Sequence, residues 1–287
     1  MKPPSQKSSF KSFDGTVIAY EILGEGPPLI FCYGLVCRQS MWRHQINYFK
    51  KNYQLIFFDY RGHNASKLPK KIENLTIQNC AKDLFHLCET LQMDKATLLG
   101  HSMGVNVAFE FAKRYPERVR SIVAICGTIE NPFKYMFHTD LSQIGFETLK
   151  LIYLKFPDHF SAIWKKSMTT PASQLLTSLL GFNLQLSQQK DIKNYLEGVA
   201  NQPLDTFFYL LQDMVEKNGF KNLDQIQAPV LVIGGENDFI TPFKTQLKLY
   251  KHLPHAQCLK VPKGSHCSHM DMPDLVNLRI EKFLKEL

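Results

Sequence analysis

No apolar run in this 287-residue chain approaches the roughly 18 residues that a membrane-spanning helix needs. The opening segment Met1 to Lys11 (MKPPSQKSSFK) is basic and polar and has no apolar stretch, so it does not read as a secretory signal. The expectation is a soluble, cytoplasmic protein. Cysteine is sparse and unpaired: the seven residues are an odd number, with no C-x-x-C among them, which argues for reduced, mostly buried thiols rather than a disulfide framework. There is no internal repeat, no low-complexity tract, no Arg-rich helix and no basic strand interleaved with aromatics, so a nucleic-acid partner is not expected. What is present is ordinary for a packed globular chain: 44% apolar and 21% charged residues.

The formal net charge is +8, unevenly spread. Residues 129–217 hold 8 Lys and 9 acidic residues, net −1, which leaves +9 on the flanking segments. The middle of the chain therefore differs in kind from its surroundings.

Short, continuous apolar runs recur outside that middle: Pro28–Tyr33, Gln54–Phe58, Ala96–Leu99, Ser121–Ile125 and Val230–Ile233, and Cys258–Val261 is strand-like as well. Continuous rather than alternating runs suit strands covered on both faces. Between them lie helical patterns. Thr76–Leu91 puts Ile77, Cys80, Ala81, Leu84, Leu87, Cys88 and Leu91 on one face, Met103–Tyr115 ends at Pro116, and Pro273–Leu284 is a last amphipathic segment. This alternation predicts an α/β fold, a doubly wound and mostly parallel sheet flanked by helices. Residues 129–217 break the rhythm with apolar helical segments such as Gln174–Leu186 and Thr206–Val215, and read as a helical cap inserted into a core formed by 1–128 and 218–287.

Gly100-His101-Ser102-Met103-Gly104 fits G-x-S-x-G between a strand and a helix. A sharp turn there forces the Ser into strained backbone geometry that flanking glycines accommodate, with the helix N-terminus behind the hydroxyl. A nucleophilic Ser needs an acid and then a His further along the chain. Asp238 follows the strand Val230–Ile233, and His266 follows Cys258–Val261, so both fall on loops at the same sheet edge as Ser102. Glu130 and Glu236 are rival acids and His269 a rival base. His252, His255, Cys258, His266, Cys267 and His269 cluster in sequence but match no zinc spacing, so no metal is expected. Cys37 is either a reactive thiol or a small packed residue.

At these residues the chain resembles the α/β-hydrolase superfamily of the helical-cap type, over about Gly15 to Leu284. Tyr20–Pro28 resembles that family's first hairpin. Phe58-Asp59-Tyr60-Arg61-Gly62-His63-Asn64-Ala65-Ser66 resembles its D-x-R-G-x-G-x-S loop, with Asn64 where Gly is usual. Tyr115–Val119 resembles its step into the next strand. The resemblance implies an oxyanion hole made by the backbone N–H groups of Leu35 and Met103, although Tyr33-Gly34-Leu35 stands where His-Gly-x is usual. It implies acyl transfer to water through an acyl-enzyme on Ser102, with His266 as base, Asp238 as its orienting acid, and no cofactor. The superfamily's dehalogenases and epoxide hydrolases carry Asp at the nucleophile position, so Ser102 points instead to a carboxylic ester with an apolar acyl chain. Thioesters, lactones, C–C bonds and methyl esters on an acidic carrier protein are alternative substrates; the core's positive excess would suit the carrier. A ligand-binding protein on the same scaffold is the non-enzymatic alternative.

Overall fold

The computed structural model describes residues 5–136, 141–168, 170–217 and 219–287. Eight strands form one sheet: β1 (Gln6–Lys11), β2 (Val17–Leu23), β3 (Pro28–Cys32), β4 (Gln54–Phe58), β5 (Ala96–His101), β6 (Val119–Ile125), β7 (Val230–Gly235) and β8 (Ala256–Val261). Their order is β1-β2-β4-β3-β5-β6-β7-β8. β1 and β2 pair antiparallel and β2 pairs antiparallel with β4; every later pair is parallel. The continuous apolar runs are the buried strands, as their lack of alternation requires: β3 to β7 have both faces covered. The edge strand β1 (QKSSFK) is almost wholly exposed and held by its ladder to β2. Nothing apolar marks it in the sequence.

Helices α1 (Arg43–Phe49), α2 (Ile77–Thr90) and α3 (Met103–Arg114) connect β3 to β6. The step from β3 to β4 runs opposite to the step from β4 to β5, and right-handed crossovers then place α1 and α2 on opposite faces. The switch also opens a crevice where the carboxyl ends of β3 and β5 lie side by side, Cys32 paired with Gly100. The loops leaving these two strands begin at Tyr33 and Ser102, so register alone brings the two motifs together.

Between β6 and β7 the described residues form no strand but five α-helices, besides short 3-10 turns: α4 (Leu141–Lys155), α5 (Pro157–Met168), α6 (Pro171–Gly181), α7 (Gln189–Ala200) and α8 (Leu204–Glu216). The helix expected over Gln174–Leu186 stops at Gly181. Phe182 is extended, and Asn183 accepts the Gln185 N–H in a local turn. Further on, α9 (Phe243–Lys251), α10 (Ser268–Asp271) and α11 (Pro273–Lys285) complete the chain, and α11 packs on α1 while α2 packs on α3. No described helix is long and apolar enough to cross a membrane.

Candidate active site

Ser102 sits between β5 and α3 at φ 54°, ψ −120°, a conformation an L-residue holds only when its surroundings impose it. Three constraints do so. The Ser102 N–H donates to the Ile125 carbonyl at 3.0 Å. A Cβ on Gly104 would lie 2.0 Å from the Cys32 carbonyl oxygen, and one on Gly100 would lie 2.7 Å from the Gly104 carbonyl oxygen. The two glycines therefore let α3 press onto β3 and β5, and the turn between them has no room to relax. Among the described residues Ser102 Oγ donates no hydrogen bond; it lines a cavity that His266 also lines.

His266 Nδ1 lies 3.0 Å from Asp238 Oδ2 and 3.2 Å from Oδ1. The Asp238 carboxylate is fixed independently of the histidine: Oδ1 accepts the N–H groups of Ile240 and Thr241 at 2.9 and 2.8 Å, and Oδ2 faces the Thr241 hydroxyl at 2.9 Å. Gln246 Nε2 in turn donates to the Thr241 carbonyl at 2.7 Å. A carboxylate held this way keeps its lone pairs aimed at Nδ1, which leaves the other ring nitrogen of His266 to act as a base.

The His266 backbone is held just as closely. Its carbonyl accepts from His101 Nε2 at 3.0 Å. Asp271 Oδ2 accepts the Ser265 N–H at 2.6 Å, the single Ser265 hydroxyl proton is shared between Asp271 Oδ2 at 2.6 Å and the Gly181 carbonyl at 2.9 Å, and that carbonyl at the end of α6 also accepts the Cys267 N–H at 3.1 Å. Asp271 also accepts the Asn183 N–H at 3.2 Å and the Ser187 hydroxyl. The break in the expected helix is therefore where the inserted segment ties onto the His266 loop. Asp271, Thr241 and Gln246 went unnoticed in the sequence because a supporting carboxylate, hydroxyl or amide carries no motif.

The loop after β3 brings Leu35 and Val36 to the same cavity. Neither the Leu35 nor the Met103 N–H has a protein acceptor among the described residues, and both are free to donate to a bound group. Val36 adopts φ 55°, rare for a β-branched residue, and its N–H donates to His63 Nε2 at 3.2 Å. Burial holds the His63 pKa down to about 4, so the ring stays neutral and remains an acceptor. Asn64 takes φ 45°, which Asn tolerates, and its side chain joins the Cys37 carbonyl to Gln202 across from α7. Tyr33 is buried, and its carbonyl accepts the Tyr60 hydroxyl at 3.1 Å. The two departures from the family pattern are thus each packed into this loop's support.

The rivals lie elsewhere. The Glu130 carboxylate is engaged by Lys248 Nζ at 2.6 Å, and Glu236 is exposed and paired with Lys260. His269 is fully buried against Trp42 and His101, neither ring nitrogen makes a well-formed hydrogen bond among the described residues, and burial holds its pKa down to about 3. Burial pushes the Cys37 thiol up to about 12, the behaviour of a packed residue. Among the described residues no group of three or more His, Cys, Asp or Glu is arranged to hold a metal ion.

The alpha/beta hydrolase fold family model matches residues 27–273. The chain belongs to this family. Epoxide hydrolase 1 of Caenorhabditis elegans is 26% identical over 278 residues, which cover 91% of this chain and 65% of that protein, so the chain spans about two thirds of that relative. Family member 3-oxoadipate enol-lactonase 2 of Acinetobacter baylyi is 25% identical over 259 residues, covering 90% of this chain and 89% of the lactonase. Among solved structures, a thermophilic esterase from Thermogutta terrifontis superposes with a TM-score of 0.78 at 21% identity, covering 98% of each chain. A bromoperoxidase from Bacillus anthracis gives 0.79 at 18% identity, covering 97% of this chain and all of that one. These two structural likenesses speak to the fold.

The cavity shared by Ser102 and His266 has a volume of about 570 Å³. Phe133, Phe146, Leu149, Phe208, Leu211 and Met214 are among its walls, and no Lys, Arg, Asp or Glu lines it among the described residues. A larger groove of about 820 Å³ lies near Lys7, Glu21, Arg38 and Asp59; it includes neither Ser102 nor His266.

Proposed function

We propose that this protein is a serine hydrolase that cleaves carboxylic esters with an apolar acyl group. The observation that carries the reading is that a strained Ser102 and an Asp238-oriented His266 open onto one apolar cavity. His266 takes the proton of Ser102 Oγ as the oxygen attacks the ester carbonyl. The carbonyl oxygen gains the negative charge and is met by the N–H groups of Leu35 and Met103. The C–O bond to the alcohol breaks, and the imidazolium returns the proton to the leaving oxygen. Water then repeats the sequence on the acyl-enzyme to release the acid and free Ser102. None of these steps calls for a cofactor. Residues 1–128 and 218–287 act as the core in this reading, and 129–217 as the cap that walls the acyl site.

Epoxide hydrolases recur among the relatives, but the Ser at position 102 supports ester rather than epoxide opening. A lactone is a cyclic ester and would pass through the same steps. The free carboxylate of an enol-lactone of 3-oxoadipate would call for a cation, however, and the described cavity wall offers none. Hydrolysis of p-nitrophenyl acetate, butyrate and octanoate by wild type and Ser102→Ala tests the reading. We expect the mutant to lose about four or more powers of ten in rate. In the wild type kcat/KM should rise by about fourfold per buried methylene, from ~0.8 kcal/mol each, until the chain meets the cavity wall. Equal rates in the two folded proteins refute the mechanism.

A further inference from the structure

Thirteen of the eighteen exposed large hydrophobic side chains among the described residues fall between Leu141 and Leu186. Single exposed apolar residues are normal on any surface, but a concentration of this kind is not. It has a layout. α5 packs against both α4 and α6, and the exposed apolar residues lie on these three helices, at Phe156 between the first two, and on the segment after them. Along α4, Leu141, Gly145, Leu149, Ile152 and Phe156 follow one another at steps of three and four, which places them in one stripe. The first three line the cavity that contains Ser102. Leu141 is 71% exposed and Leu149 46%, so the cavity wall runs out into the surface patch without a polar break. Leu151 and Ile163, both 69% exposed, and Leu175 add exposed apolar surface outside the cavity wall.

The helices that carry this surface are also positively charged. The cap as a whole is slightly acidic, yet residues 141–168 carry Lys150, Lys155, Lys165 and Lys166 against Glu147 and Asp158, a net +2. Exposed apolar side chains on helices of net positive charge match an anionic lipid surface, in which hydrocarbon lies beneath phosphate. A second copy of the chain is a poorer occupant. An isologous contact would bring like lysines together and would cover the cavity mouth, whereas a lipid surface would feed that mouth.

We propose that the α4–α6 face docks on anionic lipid surfaces and that substrate passes from the lipid into the cavity along the Leu141–Leu149 stripe. The purpose given to docking rests on the ester-hydrolase reading; docking itself does not. The test measures co-sedimentation with vesicles of phosphatidylcholine alone and of phosphatidylcholine with phosphatidylglycerol. Wild type, Ser102→Ala and the triple variant Leu151→Asp, Ile163→Asp, Leu175→Asp are compared, none of the three exposed residues lining the cavity. Wild type and Ser102→Ala should bind the anionic vesicles equally and more tightly than the neutral ones. The triple variant should bind them about tenfold or more weakly while hydrolysing soluble p-nitrophenyl butyrate at the wild-type rate. Failure of the wild type to bind, or equal binding by the triple variant, overturns the proposal. So does a wild type that is dimeric by light scattering and becomes monomeric in the triple variant. If vesicles are bound and no ester is cleaved by any protein, docking stands and the catalytic reading falls.

Discussion

Replacing Asp271 by Ala should destabilise the protein and slow it, although Asp271 touches neither Ser102 nor the cavity. Its carboxylate accepts four hydrogen bonds: the Ser265 N–H and hydroxyl at 2.6 Å, the Asn183 N–H at 3.2 Å, and the Ser187 hydroxyl. The two hydroxyls can turn elsewhere, and that of Ser265 already faces the Gly181 carbonyl at 2.9 Å. The two N–H groups cannot. Ser265 is buried, so its orphaned N–H carries most of the penalty for an unmet buried donor, and half-exposed Asn183 carries less. The sum is about 2–4 kcal/mol. Asp271→Asn keeps one acceptor oxygen and should lose roughly half as much. The assay is equilibrium unfolding in urea followed by tryptophan fluorescence, for which buried Trp42, its ring 4.8 Å from that of nearby His269, is a built-in reporter. Because Ser265 directly precedes His266, kcat should also fall, by about ten- to a hundredfold for a displacement near 1 Å, with KM changed less. A loss of stability below about 1 kcal/mol together with an unchanged kcat would refute the argument that this carboxylate positions the His266 loop.

Two more expectations follow from geometry and titration. Gly104→Ala should abolish soluble expression or activity, since its Cβ would sit 2.0 Å from the Cys32 carbonyl oxygen, whereas Gly15→Ala, at φ +82° with open space around it, should cost only about 1 kcal/mol in urea unfolding. Burial holds His63 near 4 and His269 near 3, and holds His101 well below its ordinary 6.5 with His269 and His266 adding to the effect. Below pH 6.5 the unfolded chain takes up protons that these folded sites refuse, so stability is full above pH 6.5 and is lost as pH falls toward 3. At pH 5 the loss should be about 2 kcal/mol for His63 and a similar amount for His269. Urea unfolding at pH 7 and 5 checks this, and His269→Phe should remove its share of the difference; an unchanged difference excludes that histidine.

The parallel core was legible because β3 to β7 are buried on both faces, and burial on both faces leaves an unbroken apolar run. β1 was not, since an exposed edge strand pairs through its backbone and QKSSFK carries no hydrophobic signal. The α6 boundary was misread because Leu184 and Leu186 continue the apolar pattern after the helix has ended. The stop at Gly181 comes from a contact with Ser265 and Cys267, more than 80 residues away. At the candidate site, Ser102, Asp238 and His266 stood out as candidates because each follows a strand or sits in a glycine-framed turn. Their supports did not: Thr241, His63 and Asp271 act through hydrogen bonds, and a supporting hydroxyl, imidazole or carboxylate sits in no motif that marks its partner.

The attachments of the inserted helices also set a timescale. α7 is bound to the core by polar contacts, with Arg43 and His44 on buried Asp191 and Arg38 on the Asn194 carbonyl, while the Gly181–Ser187 segment is bound through Asp271. α4 and α5 lean on α8 through rings, Phe146, Tyr153 and Phe160 around Phe208, with one bond from Tyr153 to Asp205. Stacked rings slide at little cost, whereas buried charge-assisted bonds must break before they move. Amide hydrogens of α4 and α5 will therefore exchange well ahead of those of α7, and the cavity will breathe on its α4 side while the His266 loop stays in register.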